Sequence, residues 1–400
     1  MTLRTRRNAS LPLPIPAKML MGSISRMPPQ STLSRSLPDI SPEELAAWME
    51  TNGYKRAHAP RVLRQLYEVS GEKTRIKMRM PAGLSELLSS TFPQAAATLA
   101  RRQVATDGTT KLLLRLADGR TVESVLMPDY HPDRAAGCIS SQVGCAMGCD
   151  FCATTQTGFE RNLTAGEIVE QFIHLRREAR SAERTLRTIV FMGMGEPMLN
   201  LKNVLAAVRR MADPTLGAFG WRQITISTVG IVPGIDELRE ADLGVHLALS
   251  LHAPDDATRA ELLPMGRRFD VREVLSAADR YQASSGRITT IQYCLLAGVN
   301  DSLAQARDLS RLLEGRRMHV NLLLYNPTGL SLRGRSYAPS TLEQTEAFLT
   351  QLRAQGTVAH LRRARGPDID AACGQLRRRE AKEGSAETPL RTPLEVQAPS

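Results

Sequence analysis

Cysteine is scarce in this chain, with 6 residues in 400. A disulfide-stapled scaffold is thereby excluded, since such folds carry dense, evenly distributed cysteines. Aromatic residues make up only 4% of the chain, with 2 tryptophans, so the core must be built mainly from aliphatic side chains. No apolar run approaches the length of a membrane-spanning helix, which predicts a soluble protein. Acids are the minority charge: 41 Asp and Glu face 52 Lys and Arg, for a net charge of +11. A basic balance favours polyanionic partners, and nucleic acid is the usual one.

The shortage of acid is complete in the first 36 residues, where Arg4, Arg6, Arg7, Lys18, Arg26 and Arg35 stand among Pro and Ser. That composition cannot form a core and predicts a disordered basic arm. It has the make-up of an organelle transit peptide. An RNA-touching arm, or a start codon placed too early with Met19, Met21 and Met27 available, would explain it equally. The polar stretch 377–400 predicts a disordered tail.

The few cysteines are not scattered. Cys145, Cys149 and Cys152 form a C-x3-C-x2-C run, with Gly144 and Gly148 permitting tight bends and Phe151 beside the last thiol. Three thiolates on a four-iron cluster leave one iron open to a substrate, whereas a closed site uses four ligands. A zinc knuckle with a distant fourth ligand, or three unrelated core thiols, are the alternatives. Cys138 and Cys373 read by spacing alone as a further ligand or as core thiols, and Cys294 as an inert core thiol in a strand.

Around this run the pattern divides the chain. Ser41 and Glu44 form a capping-box signal, and helical periodicity continues at 59–68 and 85–92, giving a helical accessory domain over 37–100. The turn signals Asp107-Gly108 and Asp118-Gly119 flank two apolar runs, giving a small antiparallel β extension over 101–137. From 138 to 376 strands and helices alternate. Strands are expected at 138–143, 188–192, 223–227, 245–251, 288–296 and 320–325, with helices between them. Alternation of this kind predicts parallel strands with helices outside, closing as a partial (β/α)6 barrel. Active sites on such barrels lie at the strands' C-terminal ends. The cysteine run, Gly193–Pro197, Ser227, Ser250–His252 and Asn326 all fall at that end.

The C-x3-C-x2-C run with an aromatic before its last cysteine resembles the signature of radical S-adenosylmethionine (SAM) enzymes. The flanking text is narrower: Cys138-Ile-Ser-Ser-Gln-Val-Gly-Cys145, Gly158-Phe-Glu-Arg-Asn-Leu163, Gly193-Met-Gly-Glu-Pro197 and Asp368-Ile-Asp-Ala-Ala-Cys373-Gly-Gln-Leu376. Together, over 37–376, these resemble the RlmN/Cfr family of RNA adenine methyltransferases. The resemblance implies a 4Fe-4S cluster on Cys145, Cys149 and Cys152. It implies SAM, two per turnover, bound by Gly195, Glu196, Ser227, Ser250, Leu251, His252 and Asn326. By the same resemblance Cys373 carries the methyl group, Cys138 releases the product through a transient disulfide, and Glu123 accepts the ring proton. The implied substrate is adenine carbon 2 of 23S ribosomal RNA, with tRNA as a second. Carbon 8 of the same adenine is the alternative within the family. A flavodoxin-type electron donor, a monomer and a cytoplasmic location complete the expectation. Two segments depart from the family pattern: Tyr54–His58 in the accessory domain, and Gln292, where relatives commonly carry Glu.

Overall fold

The structure is a computed structural model that describes residues 35–67, 80–93 and 95–376. The expected basic arm, up to residue 34, and the expected tail lie outside the described residues.

The chain enters through a small helical module of α1 (Pro42–Thr51), α2 (Ala59–Tyr67) and α3 (Leu84–Thr91). Ser41 and Glu44 cap α1 reciprocally, and Arg35 holds the Glu44 carboxylate at 2.7 and 2.9 Å. Leu45, Met49, Val62, Leu63, Leu84 and Leu88 are buried, each on one face of its helix. Burial of side chains this size contributes roughly 1.5–3 kcal/mol apiece, which short helices need because they are marginal alone. Asp39, just before α1, docks the module by accepting the Gly166 N–H at 2.8 Å.

Strands β1 (Ala97–Val104), β2 (Thr110–Leu116) and β3 (Thr121–Pro128) form an antiparallel meander. The meander is not a separate sheet. β3 pairs antiparallel with β4 (Arg134–Cys138), and β4 opens the parallel sheet by pairing with β7 (Thr185–Phe191). Parallel pairing continues through β8 (Ile224–Thr228), β9 (His246–Ser250), β10 (Thr289–Leu295), β11 (Met318–Leu324) and β12 (Ala359–Arg362). One 10-stranded sheet therefore runs from β1 to β12.

The first parallel strand ends where the sequence expectation began it. Residues 139–141 leave the sheet, and β5 (Gln142–Gly144) pairs antiparallel with β6 (Phe159–Asn162) in a separate two-stranded sheet. The departure is fixed by polar bonds: Ser140 Oγ donates to the Glu123 carbonyl at 2.7 Å and Ser140 N donates to Gln171 Oε1 at 2.7 Å. Gly144 turns the chain at φ +75, and a Cβ there would lie 1.7 Å from the Gly158 oxygen. β12 is an addition to the expected strands.

Between strands lie α4 (Ala153–Gln156), α5 (Ala165–Ser181), α6 (Leu201–Ala212), α7 (Val232–Glu240), α8 (Asp256–Leu262), α9 (Val271–Ser285), α10 (Leu303–Leu313) and α11 (Leu342–Ala354). Capping boxes start α5 (Thr164, Glu167) and α9 (Asp270, Glu273), as the sequence pattern predicts. α5 buries Ile168, Val169, Phe172 and Ile173, and the core runs continuously along the sheet from the module to α11.

Candidate active site

Where parallel strands end, the next chain segments must turn outward, and their side chains converge on one crevice. Here the ends of β7, β8, β9 and β11 place Phe191, Ser227, Thr228, Ser250 and Leu324 around a cleft of about 1010 Å³, counted to its open mouth. Cys145, Cys149 and Cys152 line it, with Gly195 and Glu196 beside Cys145, and His252 and Gln292 also on its walls. Leu251 is fully buried behind its neighbours Ser250 and His252, both of which line the cleft.

The cysteine loop is held from both sides. Gly144 approaches the 158 turn, Cys145 N donates to the Gly158 oxygen at 3.0 Å, and Asp150 N donates to the Leu262 oxygen at 2.9 Å. Asp150, 1% exposed, accepts from the Tyr337 hydroxyl at 2.7 Å, which anchors the loop 331–337 beneath it. Burial pushes the Cys145 thiol up to about 12 and those of Cys149 and Cys152 upward as well. Thiols so placed become ligands only if a metal centre offsets their charge. Among the described residues no three His, Cys, Asp or Glu side chains converge on a single-ion position. Three thiols on one cavity match the ligand number that leaves one iron of a four-iron cluster open.

Glu196 lines the same cleft, 2% exposed. Its Oε1 accepts the Met198 N–H at 3.0 Å and its Oε2 the Val229 N–H at 2.9 Å, while Gln142 Oε1 accepts the Glu196 N–H at 2.8 Å. Burial raises its carboxyl to about 7 despite those bonds. An ammonium group delivered into the cleft would restore the charge. Gly195, at φ +96, packs on Gln142 so closely that a Cβ would come within 2.5 Å of it.

His252 holds a left-handed backbone, φ +60, which is costly for a side chain of this size. Asn300 over-determines it by donating to the His252 carbonyl at 2.7 Å, and the Phe151 ring meets the imidazole edge-on at 5.0 Å. The Cys294 N–H donates to His252 Nδ1 at 2.9 Å. Burial depresses the imidazole to about 3, so it is neutral and carries its proton on Nε2.

Cys373 lines this cleft and also a second one of about 800 Å³ beside it. The second cleft brings in Cys138, Asn326, Arg362, Arg363 and Arg365 and has no acidic residue on its walls. Two thiols far apart in sequence thus share a chamber. Burial raises the Cys138 thiol to about 12, and the neighbouring Cys373 adds to the rise. Cys373 itself is exposed. Its segment is pinned on one side by Ala153 N to the Gly374 oxygen at 2.7 Å, and on the other by Thr106 N to Asp368 Oδ2 at 2.9 Å.

Glu123 lines neither cleft. It is 3% exposed, on the same strand face as Val125, which does line the second cleft and pairs with Cys138. Asn326 joins the second cleft and not the first. Gln292, singled out in the sequence as a departure from the family pattern, lines the first cleft. Cys294 shares its face of β10 at i, i+2; it is a buried core thiol, as expected, and it also reaches the cleft wall, which the sequence did not signal.

Residues 139–309 match the family model of the radical SAM superfamily. A relative from Opitutus terrae, "Probable dual-specificity RNA methyltransferase RlmN 1", is 68% identical over 342 residues, covering 86% of this chain and 96% of that one. The chain belongs to the RlmN family of radical SAM RNA methyltransferases. An RlmN from Thermus thermophilus is 41% identical, covering 84% of this chain and 92% of its own. A crystal structure of a radical SAM methyltransferase from Sphaerobacter thermophilus superposes with a TM-score of 0.79 at 42% identity, covering 86% of this chain and 100% of that chain. As a radical SAM enzyme of the RlmN family the chain uses a 4Fe-4S cluster and SAM, and the three-thiol wall is the place that fits the cluster. No helix of the described residues is long and apolar enough to cross a membrane.

Proposed function

We propose that this protein methylates carbon 2 of an adenine in 23S ribosomal RNA and in tRNA, through a methyl group carried on Cys373. The observation that carries the reading is the double membership of Cys373, on the wall of the three-thiol cleft and in the chamber of Cys138. The dual-specificity naming of the relatives supports two RNA substrates.

Cys145, Cys149 and Cys152 would hold the cluster, with Gly195, Glu196, Ser227, Ser250 and His252 around the SAM beside it. Bound together, cluster and SAM supply the one-electron chemistry that an electron-poor ring carbon requires. The chain's own residues do the rest. As thiolate, Cys373 displaces the methyl of a first SAM, so an S–C bond forms and the sulfonium–methyl bond breaks. Glu123 accepts the proton that leaves the ring carbon. The carried carbon, having given up one hydrogen to that one-electron chemistry, would be bonded to the ring carbon. The Cys138 thiolate then attacks the Cys373 sulfur: an S–S bond forms, the S–C bond breaks with its electron pair on carbon, and that carbon takes up a proton to become the methyl on the base. An external reductant returns both thiols. Arg362, Arg363 and Arg365 would receive RNA phosphates at the chamber edge, with the target base out of its stack. A flavodoxin-type donor, action as a monomer and a cytoplasmic setting complete the proposal.

Anaerobic turnover of the reconstituted protein with SAM and RNA, followed by nucleoside analysis, tests the reading. 2-Methyladenosine is the expected product. 8-Methyladenosine would reassign the position, and unmodified RNA from an iron-loaded protein would refute the function.

A further inference from the structure

Lys111 is a lysine where a strand residue should be apolar. It stands on β2 opposite Val125, diagonal to Glu123 on the same face of the sheet. Its side chain is 8% exposed and that of Glu123 4%, and Nζ lies 3.1 Å from Glu123 Oε1. A buried lysine loses its hydration, and the fold tolerates that only where the charge is satisfied. The same Nζ also donates, at 3.3 Å, to the main-chain oxygen of Asp370, three residues before Cys373. Asp370 has a left-handed backbone, φ +52. A backbone held in that conformation needs partners that fix it. One ammonium therefore bridges the strand bearing the proton acceptor and the segment bearing the methyl carrier.

A buried carboxyl and a buried ammonium each lose their hydration, and their contact offsets that loss while fixing the carboxyl in one orientation. Ser124, the next residue, points to the other face, where it bonds Gln171 of α5. We propose that Lys111 is a positioning residue: it orients the Glu123 carboxyl and ties it to the Cys373 segment, so that acceptor and carrier keep a fixed relation. It touches neither SAM nor RNA. The proposal rests on the reading of Glu123 as acceptor and Cys373 as carrier.

The test uses the anaerobic holoenzyme with SAM and RNA, comparing wild type with K111M, K111R, E123Q and the double variant K111M/E123Q. Methyl loading of Cys373 without RNA, followed by peptide mass spectrometry, controls for folding, and K111M should load as wild type does. Its turnover should fall about 100-fold, the lower range for loss of a general base, with a covalent protein–RNA species building up. K111R should recover most of that loss, and the double variant should be no slower than E123Q, because Lys111 acts through Glu123. Failure of K111M to load Cys373, turnover within threefold of wild type, or independent effects that multiply in the double variant would each overturn the proposal. Wild-type turnover in E123Q would instead remove the acceptor reading beneath it.

Discussion

Replacing Arg362, Arg363 and Arg365 together by glutamine removes the positive edge of the Cys138–Cys373 chamber, whose walls hold no acid to compensate. Each phosphate neutralised on single-stranded RNA contributes about 0.7 to the slope of log affinity against log salt. Three full contacts would give about 2. Asp107 faces Arg365 electrostatically and discounts it, so the slope lost should lie between about 1.4 and about 2. Between about 50 and about 200 mM salt, wild type should therefore lose about 7- to 18-fold more affinity than the triple variant. Fluorescence anisotropy with a labelled RNA fragment across that range measures both slopes. Parallel slopes would mean that these arginines only face solvent, and that phosphates are met elsewhere. Methyl loading of Cys373 in the absence of RNA should be unchanged, which separates lost RNA contact from a damaged chamber.

Cys138→Ala should trap the methylated base on Cys373, seen as a protein–RNA band on a denaturing gel; ordinary turnover would remove the disulfide-release step. Gly144→Ala should cost at least about 2 kcal/mol through its positive φ and the collision with the Gly158 oxygen, and iron content per chain should fall with thermal stability. Glu170 offers a pH test away from the clefts. Burial raises its carboxyl to about 7, and the His174 beside it is kept neutral-leaning by its own burial. A raised acid pKa opposes folding only where the unfolded group is ionised, so the cost is absent below about pH 4.5 and complete above about pH 7. Glu170→Gln should thus match wild type near about pH 4.5 and exceed it near about pH 8 by about 3 kcal/mol. Melting curves at both pH values check this, and equal stability gains at both would refute the assignment.

The β–α alternation from β7 to β11 is legible in the sequence because its helices carry a 3.6-residue stripe and some a cap, as at Asp270–Glu273. The first strand was harder to bound. Ile139 and Val143 continue an apolar pattern across residues whose backbone leaves the sheet, and only the polar bonds of Ser140 reveal the break. Parallel strands are buried on both faces, so periodicity cannot tell which side faces a cleft. That is why Cys294 on β10 gave no signal of being a wall residue, whereas Gln292 stood out only as a departure from the family pattern. β12 is 4 residues long, below the length at which a pattern stands out. The cysteine run announces itself by spacing, whereas Glu123 is visible only through the family resemblance. Lys111 carries no motif, and only the fold sets it against two partners.

Cys373 belongs to two neighbouring walls at once. On the proposed cycle, loading and delivery would both take place at a single sulfur bordering both clefts, so a turn about its own side-chain bonds would stand in for a hinge. Such turns of exposed residues take picoseconds to nanoseconds, far faster than a turnover. On that reading the shuttle would never be the slow step, and the pace of the cycle would be set by chemistry or by the arrival and departure of the RNA.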